Sequence, residues 1–135
     1  MPRTVVVVED NADEAVMINR AVSKAAPDVT LVIKNSGTEA IEYLQECRPK
    51  PALMLLDLKM PGMDGLAVLR NLRSADRTRY IPVVMLTSSA LQSDIDAAYR
   101  AGANGFVTKA QDLAVFTRDV KTVIEYWRDT NRPPQ

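Results

Sequence analysis

The chain has 135 residues, of which 47% are hydrophobic and 25% charged, as is typical of one globular domain with its own core. Seventeen basic residues balance seventeen acidic ones, so neither nucleic acid nor a membrane surface is indicated as a partner. With no histidine and a single cysteine, an internal disulfide is excluded, and zinc sites and Ser-His or Cys-His catalysis lose most of their support. The lone cysteine favours a reducing compartment, and the N-terminal valine run is too short for a signal peptide or a membrane span.

Short apolar runs alternate with helical patterns along the whole chain. The runs at 5–8, 29–33, 52–56, 82–86 and 105–107 predict strands. Because they are continuously apolar, we expect strands buried on both faces, as in a parallel sheet covered by helices. Apolar residues recur at helical spacing in segments 12–25, 38–47, 66–73, 91–101 and 112–128, most weakly in the fourth. The alternation predicts a doubly wound α/β sandwich.

Polar side chains follow four of the five predicted strands. They are Glu9 and Asp10 after the first strand, Asp57 after the third, Thr87 after the fourth and Lys109 after the fifth. The carboxyl ends of parallel strands meet at one edge of the sheet, where ligands of such folds bind. We therefore expect three acids, a hydroxyl and a lysine to gather at that edge.

This set of side chains suits phosphoryl transfer. Neighbouring carboxylates repel one another unless a cation lies among them, and oxygen ligands without His or Cys suit Mg²⁺ or Mn²⁺. A carboxylate beside such an ion can attack phosphorus and form an aspartyl-phosphate. The ammonium of Lys109 and the hydroxyl of Thr87 would stabilise the transferring group. In the simpler alternative, Asp10 and Asn11 cap the first helix and Asp57 caps the turn that follows it.

Four motifs together resemble the receiver domain of two-component response regulators. They are VVEDN, LLDLKMPGMDG, PVVMLTSSA and GANGFVTK, and the resemblance extends over residues 4–127. It implies a flavodoxin-like (βα)5 sandwich whose five-stranded parallel sheet has the strand order 2-1-3-4-5. We expect a receiver domain at residues 1–128, a polar and frayed tail at 129–135, and no effector domain.

The resemblance assigns the acids their roles. Asp57 would accept a phosphoryl group from a phosphohistidine on a sensor histidine kinase. Glu9 and Asp10 would hold Mg²⁺ together with Asp57, Glu9 acting through a water molecule. Lys59 would lend its backbone carbonyl to the metal.

The resemblance also implies a switch. Thr87 would turn toward the phosphoryl oxygen, and Lys109 would pair with it. Phe106 occupies the family's switch aromatic position and would move inward with Thr87, which couples the site to the face made by the fourth helix, fifth strand and fifth helix. Physically, this is a packing element with two states, biased by one added charge.

Three features depart from the commonest receiver pattern. The acidic pair is Glu-Asp at residues 9 and 10. Ala110 follows Lys109, where most receivers have a proline in a cis peptide; a cis bond before alanine costs about 3–4 kcal/mol. Lys59 and Ser89 lie two residues after Asp57 and Thr87, in positions that would flank the phosphoryl group and alter the access of water.

The chain's ending, IEYWRDTNRPP, resembles the small single-domain regulators that accompany bacterial phytochromes. This resemblance implies a phytochrome-type kinase partner and a cytoplasmic location. Tyr126 and Trp127 either pack at the edge of the core or contact a second copy of the chain. In the second case they would form a homodimer through the face of the fourth helix, fifth strand and fifth helix.

The leading hypothesis is a stand-alone phosphoacceptor that signals through its own surface and is not a turnover enzyme. An alternative, motivated by Ala110 and Lys59, is a protein-interaction module that keeps the fold but signals without phosphorylation. A phosphohydrolase resembling the haloacid dehalogenases is disfavoured, because such enzymes need a second Asp where this chain has Lys59. Neither a P-loop nor a G-x-G-x-x-G motif is present.

Overall fold

Strands and helices alternate in the computed structural model, which describes residues 3–133. The strands are β1 (Thr4–Val8), β2 (Thr30–Lys34), β3 (Leu53–Leu56), β4 (Val83–Thr87) and β5 (Gly105–Thr108). The helices are α1 (Ala12–Ala25), α2 (Gly37–Glu46), α3 (Gly65–Ser74), α4 (Gln92–Ala101) and α5 (Leu113–Glu125). Every predicted strand and helix is therefore present in the predicted order.

The strands form one parallel sheet in the order β2-β1-β3-β4-β5, which confirms the predicted strand order. Val8 in β1 lies opposite both Lys34 in β2 and Leu56 in β3, so these three strands end at the same level. In the same way Thr87 of β4 lies opposite Thr108 of β5. The residues that follow the strands therefore share one edge of the sheet, which we call the carboxyl edge.

A separate apolar layer covers each face of the sheet. The layer on the side of α1 and α5 includes Ile18, Phe116 and Ile124, each at most 2% exposed. The layer on the side of α2 and α3 includes Leu44 and Leu69, both fully buried. Burying a side chain of this size contributes about 1.5–3 kcal/mol, so the two layers hold the sheet from both sides.

The edge strands are less buried than predicted. The central strands β1, β3 and β4 are buried along nearly their whole length, whereas β2 and β5 are mostly half-buried. The expectation of full burial was therefore wrong for 29–33 and 105–107. Each edge strand has a neighbour on one side only, and the covering helices lie over the middle of the sheet.

Side-chain caps begin four of the five helices. The oxygens of Asn11, Ser36, Asp64 and Asp112 each accept a hydrogen bond from a backbone N–H in the first turn of α1, α2, α3 and α5, which satisfies a donor that has no partner within the helix. The exception is α4, where Leu91 occupies the cap position and supplies no such bond. Its other end closes on Gly102, whose φ of 108° favours glycine.

Beyond α5 the chain continues as a π-helical segment, Tyr126–Thr130. Arg128 secures it, donating to Asp28 after α1 at 2.8 Å and to the neighbouring Asp129. The helical part thus enters the stretch predicted as a frayed tail, of which residues 134 and 135 lie outside the described range. Within the described range, no helix has both the length and the apolar character that crossing a membrane requires.

Candidate functional site

Asp57 lies where the buried strand β3 meets the carboxyl edge. The strand residues before it are all buried, and Asp57 is itself only 7% exposed. Its role is not to cap α3, because Asp64 does so by accepting from the Ala67 N–H at 2.9 Å. Gly65 is required for this arrangement, since a Cβ there would collide with the backbone carbonyl oxygen of Asp57. The chain therefore brings the start of α3 against the backbone of a buried acid.

The three acids predicted at this edge come together. Glu9, Asp10 and Asp57 each place a carboxylate oxygen within 4.8 Å of the other two. Glu9 is 1% exposed, whereas Asp10 faces solvent. Three oxygen donors open to water on one side, without a nitrogen or sulfur donor among them, fit a hard divalent cation that keeps some of its own water.

Capping does not account for this cluster. Asn11 caps α1, accepting from the Glu14 N–H at 3.0 Å, so the Asp10 side chain is left free for the acidic cluster. The capping alternative was thus right for Asn11. It was wrong for Asp10 and Asp57, because within residues 3–133 neither carboxylate accepts a hydrogen bond from the α1 N-terminus or from the turn after β3.

Lys109 reaches the cluster from the end of β5. Its Nζ contacts Glu9 Oε1 at 2.7 Å and Glu14 Oε2 at 3.1 Å. Burial raises the pKa of Glu9 to about 7, even though the Lys109 hydrogen bond lowers it and the charge of Asp57 adds to the rise. Burial lowers the pKa of Lys109, but the hydrogen bonds to Glu9 and Glu14 and the charges of Asp57 and Glu9 together outweigh burial and leave that pKa raised. The ammonium is therefore held in its charged form between two carboxylates.

The backbone at Lys109 takes the trans form. The cis peptide bond of the described residues joins Arg48 to Pro49, and the bond between Lys109 and Ala110 is trans. The loop after β5 therefore runs without the cis bond that the family pattern suggested, and Lys109 still points at the acids.

Thr87 ends β4 beside the same cluster. It is 1% exposed, and its Oγ1 is the buried side-chain oxygen that lacks a hydrogen-bond partner within residues 3–133. A buried hydroxyl without a partner costs about 1–3 kcal/mol, so it is poised to bind a group that enters the site.

The sequence as a whole matches known proteins of one family. The family model "Response regulator receiver domain" matches residues 5–121. The chain belongs to this family. It is accordingly a receiver-domain response regulator of two-component signalling.

Individual relatives resemble the receiver along its whole length. It is 34% identical to the probable methanogenesis regulatory protein FilR2 of Methanothrix harundinacea, over 98% of this chain and 88% of the relative. It is 31% identical to response regulator Rcp1 of Synechocystis, over 96% of this chain and 91% of Rcp1.

Two solved structures match the fold closely. The phosphorylated cyanobacterial phytochrome response regulator RcpA superposes with a TM-score of 0.91 at 31% identity, covering 100% of both chains. The Mn²⁺-bound form of Rcp1 superposes with a TM-score of 0.86 at 29% identity, covering 99% of this chain and 100% of the other.

A second polar group flanks the receiver's site on the side of α4. Lys59 Nζ lies 3.7 Å from Asp94 Oδ1, and the Ser89 hydroxyl donates to Asp94 Oδ2 at 2.6 Å. Leu91 N–H donates to Ser89 Oγ at 3.3 Å, and the Thr108 hydroxyl donates to the Ser89 carbonyl at 2.8 Å. The two residues that the sequence placed beside the site are thus both held by one carboxylate of α4.

The three aromatic candidates are not part of the acidic cluster. Phe106 is half-buried in β5 and packs against the apolar layer of α2 and α3. Tyr126 and Trp127 stack edge to face with ring centroids 5.0 Å apart, Tyr126 being exposed and Trp127 packed partly against the layer of α1 and α5.

A groove of about 590 Å³ lies at the end of the sheet where the strands begin, opposite the carboxyl edge. Its walls include Pro49, Pro82 and Trp127 together with the cations Arg3 and Arg77. It contains none of the residues gathered at the carboxyl edge, so this groove is separate from the candidate site.

Sequence reasoning missed two residues of the site, Glu14 and Asp94. Both lie in the first turn of a helix, and an acid in that position is ordinary because it is favoured by the helix dipole. A weak signal exists for Glu14, since it follows the cap Asn11 by three residues and turns toward the carboxyl edge. For Asp94, only the placement of α4 in the tertiary structure shows that it meets Ser89 and Lys59.

Proposed function

We propose that this receiver accepts a phosphoryl group on Asp57 from a phosphohistidine of a sensor histidine kinase. The observation that carries the proposal is the buried carboxylate of Asp57 beside two further acids and the unpartnered hydroxyl of Thr87. The residues that would hold Mg²⁺ or Mn²⁺ are Glu9, Asp10, Asp57 and the backbone carbonyl of Lys59. The Mn²⁺-bound state of Rcp1 supports the choice of cation.

The chemistry uses side chains already in position. A bond forms between an Asp57 carboxylate oxygen and phosphorus while the donor's P–N bond breaks, and the imidazole nitrogen keeps the electron pair. The cation, when bound, neutralises charge on the phosphoryl oxygens. Thr87 would donate its hydroxyl to one of these oxygens. Lys109 would exchange one of its carboxylate partners for another of these phosphoryl oxygens.

The added charge, near −2, gives the site two states. As Thr87 binds the phosphoryl group, Phe106 would repack and alter the face made by α4, β5 and α5. Phe106 is only half-buried, which is compatible with such a movement. A downstream protein, or a second copy that packs through Tyr126 and Trp127, would bind one state of this face more tightly.

The relatives support a proposal for the partner and the setting. RcpA is a phytochrome response regulator, so we infer a phytochrome-type sensor kinase and a cytoplasmic location. The receiver, residues 1–128, would act as a phosphoprotein in a relay and not as a turnover enzyme, with neither nucleic acid nor a membrane as its partner.

Intact mass spectrometry tests the proposal directly. We would incubate the protein with acetyl phosphate, with and without Mg²⁺, and compare the parent with Asp57→Asn. Asp76→Asn is the matched control, because Asp76 has a side chain 97% exposed and its ion-pair partner is Arg79, away from the carboxyl edge. We expect one phosphoryl adduct that requires Mg²⁺ and Asp57 and is retained in the control.

A phosphorylation-independent interaction module is the second candidate. The observation in its favour is that Lys109 is already paired with Glu9 and Glu14, and so needs no phosphoryl group to satisfy its charge. A folded parent that forms no adduct with acetyl phosphate, or with a second donor such as phosphoramidate, would select this candidate.

A further inference from the structure

One carboxylate joins the two loops that flank the phosphoacceptor. Asp94 uses Oδ1 for Lys59, in the loop after β3, and Oδ2 for the Ser89 hydroxyl, in the loop after β4. With both oxygens engaged and a side chain only 19% exposed, Asp94 connects the two loops across the mouth of the site.

The same residue holds the start of α4. This helix has no side-chain cap at Leu91, and Ala98 is its one fully buried residue. Asp94 thus attaches the first turn of α4 to the site through polar contacts. The apolar contacts of the helix lie at its middle.

The pairing with Lys59 is weak enough to be exchanged. The Lys59 side chain is 71% exposed and the two charges are 3.7 Å apart, a geometry that contributes little to stability in water. Asp57, which would carry a phosphoryl group of charge near −2, lies only two residues before Lys59. A dianion outcompetes a single carboxylate for an ammonium.

We propose that Asp94 is a positioning residue that holds Lys59 and Ser89 away from the phosphoryl group and releases them when Asp57 is phosphorylated. The proposal rests on Asp57 being the phosphoacceptor. Release removes the polar attachment of the first turn of α4, so the charge on Asp57 is transmitted to this helix through Asp94 as well as through Thr87.

Binding of beryllofluoride, a phosphoryl mimic, in the presence of Mg²⁺ measures the competition. Asp94→Asn keeps the shape of the side chain and removes its charge, so Lys59 becomes free to face the mimic. We expect the affinity to rise about two- to fivefold. Asp94→Glu should bind like the parent, and so should Asp96→Asn, since Asp96 is exposed on the same helix and its side chain accepts only from Gln92 among residues 3–133.

A double-mutant cycle separates positioning from a general effect on folding. In a Lys59→Met background, Asp94→Asn should no longer change the affinity. An unchanged affinity in the single Asp94→Asn variant, a lower one, or an equal gain with and without Lys59, would each overturn the proposal.

Hydrogen exchange at the first turn of α4 measures the release of this turn, which binding affinity does not report. We expect these amides to exchange faster in the parent when the mimic is bound, and fast exchange without the mimic in Asp94→Asn, while those of α1 stay protected in both. Equal protection in all states would contradict the release.

Failure of the phosphoacceptor assignment can be distinguished from failure of the proposed role of Asp94. If neither the parent nor Asp94→Asn binds beryllofluoride or forms an acetyl phosphate adduct, both proposals fall. If both proteins bind it equally, only the role of Asp94 falls.

Discussion

The two sides of the site are attached to the molecule in different ways. On the side of α1 and α5, Lys109 is 11% exposed and lies between Glu9 and Glu14, above a dense apolar layer. On the side of α4, Lys59 is 71% exposed and shares Asp94 with a serine. The contrast indicates that the first side is a fixed frame and the second can move.

Packing density explains the difference. Three residues of α5, Phe116, Val120 and Ile124, are at most 2% exposed, whereas α4 buries only Ala98. A helix that buries few apolar side chains opens at low free-energy cost, so we expect a charge added at Asp57 to act first on α4.

The sharpest test of this contrast is a pair of truncations. Phe116→Ala should lower the free energy of unfolding by about 3–5 kcal/mol, because it leaves a cavity in the layer of α1 and α5. Ile95→Ala in α4 should cost less than about 1.5 kcal/mol, since Ile95 is only half-buried. Urea denaturation of both variants measures the difference, and equal losses would remove the distinction between the two sides.

The two lysines provide the next test. Lys109→Met should cost about 2–3 kcal/mol, because it leaves Glu9 buried beside Asp57 without its cationic partner. Lys59→Met should change stability by less than about 1 kcal/mol, since the Lys59 side chain is 71% exposed and its pair with Asp94 is long, at 3.7 Å. Thermal unfolding without metal checks both, and a large loss at Lys59 would show that the α4 side is also firmly held.

The pH dependence of stability should identify Glu9 on the fixed side. Its pKa is about 7 in the folded protein, against 4.5 for the ordinary carboxyl. Between these values the unfolded state is ionised while the native state retains the proton, so the native state binds more protons and stability falls as pH rises from 4.5 to 7. Above pH 7 both states are ionised and the slope vanishes.

Glu9→Gln should therefore flatten the stability profile between pH 4.5 and 7, by roughly 3 kcal/mol in total. Denaturant titrations at several pH values, without divalent cations, measure the slope. The exposed Glu42 in α2 serves as the control, since Glu42→Gln should leave the profile unchanged. A profile of Glu9→Gln as steep as the parent's would show that other groups set it.

The smallest effect concerns the missing cap of α4. Leu91 is 65% exposed, so Leu91→Asp removes little buried apolar surface. The new carboxylate supplies an oxygen for the first-turn N–H groups. We expect a gain of about 0.5–1 kcal/mol and slower hydrogen exchange at the start of α4. The matched change Leu113→Asp, at an equally exposed residue inside α5 after its cap Asp112, should bring no such gain.

Most of the fold was predictable from local patterns. Continuous apolar runs identified the strands, and helical spacing together with the alternation predicted a sheet covered on both faces. The gathering of Glu9, Asp10 and Asp57 followed from topology, because residues that follow parallel strands must share one edge. The strand order itself came from the resemblance of four motifs to a known family.

The remaining features depended on tertiary packing. Burial of the edge strands, the pairing of Lys109 with Glu14 and the bridge from Asp94 to Lys59 and Ser89 depend on how each helix is placed against the sheet. Helical spacing fixes which residues share a helix face, but not which loop that face meets. The sequence by itself therefore determined which acids could form a phosphoacceptor site, and only the tertiary structure decided which side chains hold its two lysines, because those contacts join residues far apart in the chain.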